Sequence, residues 1–276
     1  MTAMTRPLVL AEALRRHQRS VQVDRAVVSS GIVALGAGVL LFWQFGLGSI
    51  VNPRYVSTPV EVVRSLLALA ESGALVRHAQ VTMTEAAVGY LIGVTVGLAG
   101  AFLLLTTRRG YEVLEPYLLA FYAIPKIALA PLFIMWFGLG PTPKVLLAAL
   151  MVFFIVFMNT VAGVRAIDRG LIDVVRILGA RRFEMMRAVL MPAAAPAIMA
   201  AIRVTFARAM VGAVLAELIA STDGLGYMIV RASRQFDIAT VFAGVVVIAV
   251  LVMTVNVLIR ALEGRLFPWA SGSVRG

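Results

Sequence analysis

Long apolar runs separated by short charged segments set the pattern of this chain. A helix that crosses a hydrocarbon core needs about 20 consecutive apolar residues. Stretches of that kind recur and predict helices near 26–46, 81–105, 114–138, 144–164, 197–221 and 239–260. Between the first two, STPVEVVRSLLALAESGALVRHA puts Val62, Leu66 and Leu69 at helical spacing, with Glu61, Arg64 and Glu71 elsewhere. That pattern predicts a short amphipathic helix lying at the membrane interface after Pro59. The third run contains Pro125, Lys126 and Pro131 and is expected to be kinked or broken.

The polar interruption between the fourth and fifth runs is built unlike a tether. Asp168 is placed to cap a helix in which Leu171, Val174, Val175 and Leu178 follow the i, i+3, i+4, i+7 rule and form one apolar face. Arg169, Asp173 and Arg176 form a polar face with opposite charges three and four apart. Gly179 is expected to end this helix in a left-handed cap. A second short helix then presents Phe183, Met186 and Leu190 on one side, and Pro192 opens the next span. The apolar face of the first helix needs a groove, in this protein or in a partner.

Composition agrees with the pattern. The chain has 276 residues, 61% hydrophobic and 14% charged, with a mean hydropathy of +0.94. Soluble domains are about 45–50% apolar and about 25% charged, so this is an integral membrane protein of the all-α class, with about six transmembrane helices. The formal charge of +11 does not point to nucleic acid, because the basic residues are dispersed between the apolar runs with no aromatic-plus-basic stripe. Sixteen Lys and Arg fall in the N-terminal segment, the 106–113 and 165–196 loops and the C-terminal tail counted with Arg260 at its edge, against six in the alternate segments. That asymmetry places both termini and the 165–196 loop in the cytoplasm. Residues 1–25 read as a cytoplasmic segment before an uncleaved first helix, 26–260 as the membrane domain and 261–276 as a cytoplasmic tail. There is no cysteine, and His17 and His78 lie far apart, so thiolate and histidine metal clusters are not expected.

No G-x-x-x-x-G-K-[ST], no HExxH and no Ser–His–Asp arrangement is present, and nothing suggests catalysis by this chain. Asp173-Val174-Val175, three residues, Gly179, nine residues, Val189, one residue and Met191-Pro192 resembles the EAA loop of bacterial ABC importer permeases: EAA, three residues, G, nine residues, I, one residue, L-P. The literal EAA at Glu85–Ala87 lies inside a span with its glycine too near, and is a decoy. PLFIMWFGLG (131–140), NTVAGVRAID (159–168), LGARR (178–182), AELIASTDGLGYMI (216–229) and VFAGVVVI (241–248) extend the resemblance, over residues 85–268, to the permeases of the nitrate, sulfonate and taurine group.

The resemblance implies a type I importer permease in the bacterial inner membrane. Two permease copies, expected to be a homodimer, would pair around a translocation path. Two cytoplasmic ATPases would supply ATP and magnesium, no cofactor being held by this chain, and an extracytoplasmic binding protein would deliver cargo. Asp173, Val174, Val175, Leu178, Gly179, Ala180 and Phe183 would then form the coupling surface for the ATPase. Relatives of this kind carry nitrate, sulfonates, aromatic acids or pyrimidine precursors. The rival reading is a secondary transporter or channel working alone, which would want paired membrane carboxylates or inverted repeats, and the sequence displays neither.

Charges inside spans face protein or water. Arg208 lies about 16 Å into the fifth span, near the midplane, while Arg203 is about 9 Å in and within snorkelling reach of the interface. Glu217 is half a turn around the helix from Arg208, so each needs another partner. The candidates for the path are Lys126, Asn159, Arg208 and Glu217. Three of them have an alternative: Arg208 bonded to a neighbouring helix, Lys126 snorkelling, Asn159 in an interhelical hydrogen bond. STDGLGYM (221–228) reads as a re-entrant or outer-face loop in which Asp223 caps the next helical segment.

Overall fold

The computed structural model describes residues 27–28, 30–46, 50–52, 55–105 and 110–266. The basic N-terminal segment, Arg108, Arg109 and the end of the tail, all used in reading orientation, lie outside the described residues. Two compact units divide the chain at Arg64.

In the first unit, helix α1 (Ser30–Gly46) is apolar and closes in a π turn over Phe42–Gly46. The Trp43 indole N–H donates to the Ser57 carbonyl at 2.8 Å. Helix α2 (Pro59–Glu71) starts with a reciprocal cap. The Thr58 N–H donates to Glu61 Oε2 at 2.8 Å, and the Glu61 N–H donates to Thr58 Oγ1 at 3.3 Å. That backbone bond, with the Ser57 hydroxyl, holds the Glu61 carboxyl below its ordinary range. A helix is present where one was expected at Pro59. It ends at Gly73, whose φ of 72° turns the chain into the next helix.

The second unit is a helical bundle. Helix α3 (Ala74–Leu105) has 32 residues, about 48 Å at 1.5 Å per residue. It therefore starts seven residues earlier than hydropathy suggested and exceeds the hydrocarbon core. Helix α4 (Gly110–Ala123) and helix α5 (Ala130–Phe137), the latter entered through a 3-10 turn at Lys126–Leu129, meet at 81°. Pro125, extended at ψ 99°, makes the break. The third run is thus broken as expected, and the fold is sharper than a kinked single span. Helix α6 (Thr142–Arg165) is central, with half of its most apolar window buried.

Helix α7 (Arg169–Ile177) is followed by a short turn, helix α8 (Arg182–Met185), a π turn over Met186–Leu190 and helix α9 (Met191–Ile219). Here the sequence expectation needs correcting. Pro192 does not open a separate helix, because Phe183–Ile219 runs on as one helix of 37 residues. Proline removes one i→i−4 donor and its ring crowds the carbonyl four residues back. The chain meets this by widening: the Met191 N–H bonds Met186 O, five residues away. Helices α10 (Leu225–Arg234) and α11 (Ile238–Leu266) complete the unit.

Four described helices are long and apolar enough to cross a membrane, or five if the bent pair counts as one crossing. The described stretch of α1, Ser30–Gly46, is shorter than that, so among the described residues four or five of the six expected spans are reproduced by length and composition.

Close backbone approach holds the centre together. Gly89, Gly93 and Gly97 recur every four residues on the face of α3 that meets α6. A Cβ at Gly93 would stand 2.6 Å from Ala149 O and from Val152 Cβ. Gly212 of α9 comes as near to Ala148 from the other side. Without a hydrophobic drive between helices in lipid, such small-residue contacts supply the van der Waals adhesion. Ala148, Val152, Val156, Phe206 and Met210 fill the core around this three-helix junction.

Candidate functional site

At one end of the bundle, Phe102, Val164, Ala194 and Ile198 pack together with Ile167, Met186 and Leu190, which flank the arm formed by 168–184. Asp168 caps α7 as expected, accepting from the Gly170 N–H at 2.8 Å. At the other terminus Gly179 sits at φ 81°. Its N–H bonds Arg176 O at 3.0 Å, and the Ala180 N–H bonds Val175 O at 3.4 Å. These two bonds are the Schellman pattern, which satisfies the orphan carbonyls and fixes the chain's exit direction. Asp173 and Arg176 pair at 3.0 Å on the exposed polar face. The Arg181 N–H is capped by Glu184 Oε2 at 2.8 Å.

The apolar face divides. Val175 is half-buried, whereas Leu171, Val174, Leu178 and Phe183 are exposed. Ile177, absent from the expected face, is the most exposed of all at 84%. A rigid, capped helix thus presents a ridge of large aliphatic side chains away from its own bundle.

The candidate path residues separate. Arg208 is exposed on α9, in a stripe with Val204 and Val211, and makes no hydrogen bond or ion pair among the described residues. Asn159 is also exposed, but its amide donates to Ile155 O of its own helix at 2.8 Å rather than to another helix. Lys126 sits at the 81° break, donates to Tyr122 O, and lies 4.4 Å from the Tyr122 ring and 5.0 Å from the Phe154 ring. Arg203, expected to snorkel, instead pairs with Glu263 of α11, its Nε 3.1 Å from Oε2.

Glu217 goes to a place of its own. It is 1% exposed and joins a buried polar cluster at the end of the bundle away from the arm. It accepts from the Thr82 hydroxyl at 2.7 and 3.0 Å and from the Gly226 N–H at 2.7 Å. The Leu225 N–H donates to Thr82 Oγ1 at 2.8 Å, and the Gly224 N–H to His78 Nδ1 at 3.1 Å. The 220–226 loop is therefore hung on α3 and α9 through three successive amides. Gly224 stands where a Cβ would strike the Glu217 carboxylate. Asp223 does not cap α10; it accepts from Arg77 at 2.5 Å.

Beside Glu217, Lys144 Nζ donates to Glu85 Oε1 at 2.7 Å. Lys144, a loop charge by hydropathy, is buried. Sequence reasoning missed this Glu85–Lys144–Glu217 constellation because its members come from three helices. Next to it opens a polar notch of about 330 Å³ lined by Ser221, Tyr227, Arg231, Arg234, Gln235 and Glu217. Arg231 and Arg234, one turn apart on α10, make no ion pair among the described residues.

A helical bundle with four or five membrane-length helices among the described residues, polar groups buried at helix junctions and an arm beyond the bundle defines a polytopic membrane protein. More narrowly, the chain belongs to the family of binding-protein-dependent transport system inner membrane components, whose pattern it matches over residues 89–269. It is thus an inner-membrane permease subunit of an ABC importer, non-catalytic itself and working with an ATPase and a binding protein. It is 37% identical to a Bacillus subtilis (strain 168) protein assigned to aliphatic sulfonates transport, over 85% of this chain and 86% of that one. The taurine transport system permease protein of Escherichia coli (strain K12) is 32% identical over 88% and 90%. Among solved structures, the inward-facing MetNI methionine ABC transporter shares the fold at TM-score 0.62 and 21% identity, covering 73% of this chain and 98% of that one. A bacterial ABC transporter for alginate matches at 0.60 and 15%, covering 91% and 99%.

Proposed function

We propose that two copies of this subunit enclose the path for a small organic anion, and that the 168–184 arm is the surface on which the partner ATPase acts. The observation that carries the coupling reading is the exposed ridge of Leu171, Val174, Ile177 and Leu178 on a helix capped at both ends. Exposed aliphatics on a rigid element call for an apolar groove, and the ATPase is the partner the family supplies. Asp173, Val174, Val175, Leu178, Gly179, Ala180 and Phe183 form this contact. Closure of the ATPase pair around ATP and magnesium would then displace the arm, and the arm would displace α9. Both termini and the arm are cytoplasmic on this reading. α1 and the bent α4–α5 pair complete six crossings, with the 220–235 end outside.

The cargo reading rests on exposed cations without carboxylate partners. Arg208, half-way along a membrane helix, cannot face lipid without heavy cost, so it faces the path or the second copy. Arg231 and Arg234 offer guanidinium donors at the outer mouth, suited to sulfonate or carboxylate oxygens. Relatives assigned to sulfonates and taurine favour the same chemistry. Lys126 and Asn159 line the path on this reading, while Glu217 shapes its outer end from behind.

One reconstituted assay tests both parts. In vesicles carrying the complete importer, Leu178→Asp should keep the subunit inserted while abolishing substrate-stimulated ATP hydrolysis, since it drives a charge into the groove. Arg208→Gln should lower uptake of an alkanesulfonate at least tenfold while the ATPase still co-purifies. Wild-type hydrolysis by Leu178→Asp removes the arm from the contact, and wild-type uptake by Arg208→Gln removes that arginine from the path.

A further inference from the structure

The buried cluster at the 220–226 end does not balance if all its groups are charged. Glu85, Lys144 and Glu217 are 4%, 5% and 1% exposed. The ammonium bonds one oxygen of Glu85, at 2.7 Å. Glu217 has its own donors, Thr82 Oγ1 and the Gly226 N–H. The other oxygen of Glu85, Oε2, is buried and bonded by no donor among the described residues. Thr82, whose hydroxyl bonds Glu217, stands one turn from Glu85 on α3, which brings both carboxyls to the same helix junction. Two buried carboxyls thus share one ammonium, and one of their four oxygens has no donor among the described residues.

The surrounding charges do not supply the balance. Around the cluster, α3 contributes His78 and Arg77, the loop contributes Asp223, and α10 contributes Arg231. Arg77 and Asp223 neutralise each other at 2.5 Å on the exposed side. His78 accepts at Nδ1 from Gly224, so that nitrogen carries no proton. Arg231 is exposed. α6 contributes Lys144 alone and α9 Glu217 alone, and the α11 charges Arg260 and Glu263 fall at that helix's far end. Two ionised carboxylates against one ammonium would leave a net negative charge sealed between helices, where an uncompensated charge is heavily disfavoured.

We infer that this cluster is a proton-binding site: one proton lies between Glu85 Oε2 and the Glu217 carboxyl, making Glu85, Glu217 and Lys144 together neutral. The proton supplies the donor that the orphaned oxygen lacks, in the manner of carboxyl pairs too close for both to ionise. The site also anchors the 220–226 loop, since Gly226 bonds Glu217 and Leu225 bonds Thr82. Lifting that loop would admit water, ionise the second carboxyl and release the proton to solvent, taking the cluster from neutral to one negative charge. Movement of this end of the bundle is thus linked to proton exchange, whichever solute is carried.

Infrared spectroscopy of the assembled importer in lipid nanodiscs at neutral pH tests it. An exposed glutamic acid titrates near pH 4.3 and is fully ionised there. The wild type should show the C=O stretch of a protonated carboxyl that shifts when the chain carries isotope-labelled glutamate. Glu85→Gln and Glu217→Gln should each abolish that band, the amide N–H replacing the proton as donor. Should a glutamine variant not assemble, Glu85→Asp and Glu217→Asp keep an acid there; each should alter the labelled band by moving the proton's share to an unlabelled partner. A wild type with no labelled carboxylic acid band overturns the inference. So does a band that all four substitutions leave unmoved.

Discussion

Lys144 shows how much one side chain can hold. Its ammonium is the cation of a cluster with two buried carboxyls, at the first turn of the central helix. Removing one partner of a buried ion pair leaves the other uncompensated, which costs about 3–5 kcal/mol, while removing both is often neutral. Lys144→Met should therefore lower the thermal midpoint of the purified subunit sharply. Adding Glu85→Gln in the same chain should recover most of the loss. A double variant as unstable as the single one would mean that Lys144 acts through packing. None of this was legible locally, because Glu85 lies 59 positions away and hydropathy reads Lys144 as the last polar residue before a span. Arg203 repeats the lesson: its partner Glu263 comes 60 positions later.

Elements were read best where their information is local. The arm declared itself because a cap, an apolar period and a glycine lie within a dozen residues; Asp168, Gly179 and the exposed ridge all derive from them. The break at Pro125 was visible for the same reason, though not its 81° angle, which depends on what α4 and α5 pack against. The π turn was hidden, since proline signals only that a donor is missing and not how the backbone adjusts. The glycines of α3 were legible and overlooked: small residues every four positions mark a helix-packing face. Gly93→Leu should push α3 from α6, because the added side chain meets backbone at Ala149 rather than a flexible tip. Overpacking of a core costs about 1–3 kcal/mol where neighbours can shift, and more where backbone blocks the way. Loss of folded subunit from detergent extracts, against retention in Gly36→Leu, where nothing lies within 4 Å of a Cβ, is the expected result.

At the scale of the molecule, apolar surface is plentiful and unevenly covered. Only 11% of the α11 window is buried, and Val250, Met253 and Val257 face outward along it. For a chain whose solvent is lipid, such a face needs no cover. Orientation is the property that length and hydropathy leave to charge. Reporter fusions at Gly140 and Ser72 should report the outer side, and one at Arg181 the inner side. An outer signal at Arg181 would sink the coupling reading together with the topology. The rival, a transporter working alone, would want paired membrane carboxylates. Glu85 and Glu217 supply such a pair, and it is family membership that keeps the importer reading.

The continuity of Phe183–Ile219 has a mechanical meaning. Its 37 residues make a strut of about 55 Å, reaching from the arm to the glutamate that suspends the 220–226 loop. A load applied at Phe183 reaches Glu217 without crossing a hinge made of loop. The widened turn at Met186–Leu190 is where the regular hydrogen-bond ladder of that strut changes. On the coupling reading, where such a strut yields would decide how much of a push at one membrane face arrives at the other, and the stiffness of the short segment beside Pro192 would set the stroke delivered to the far end.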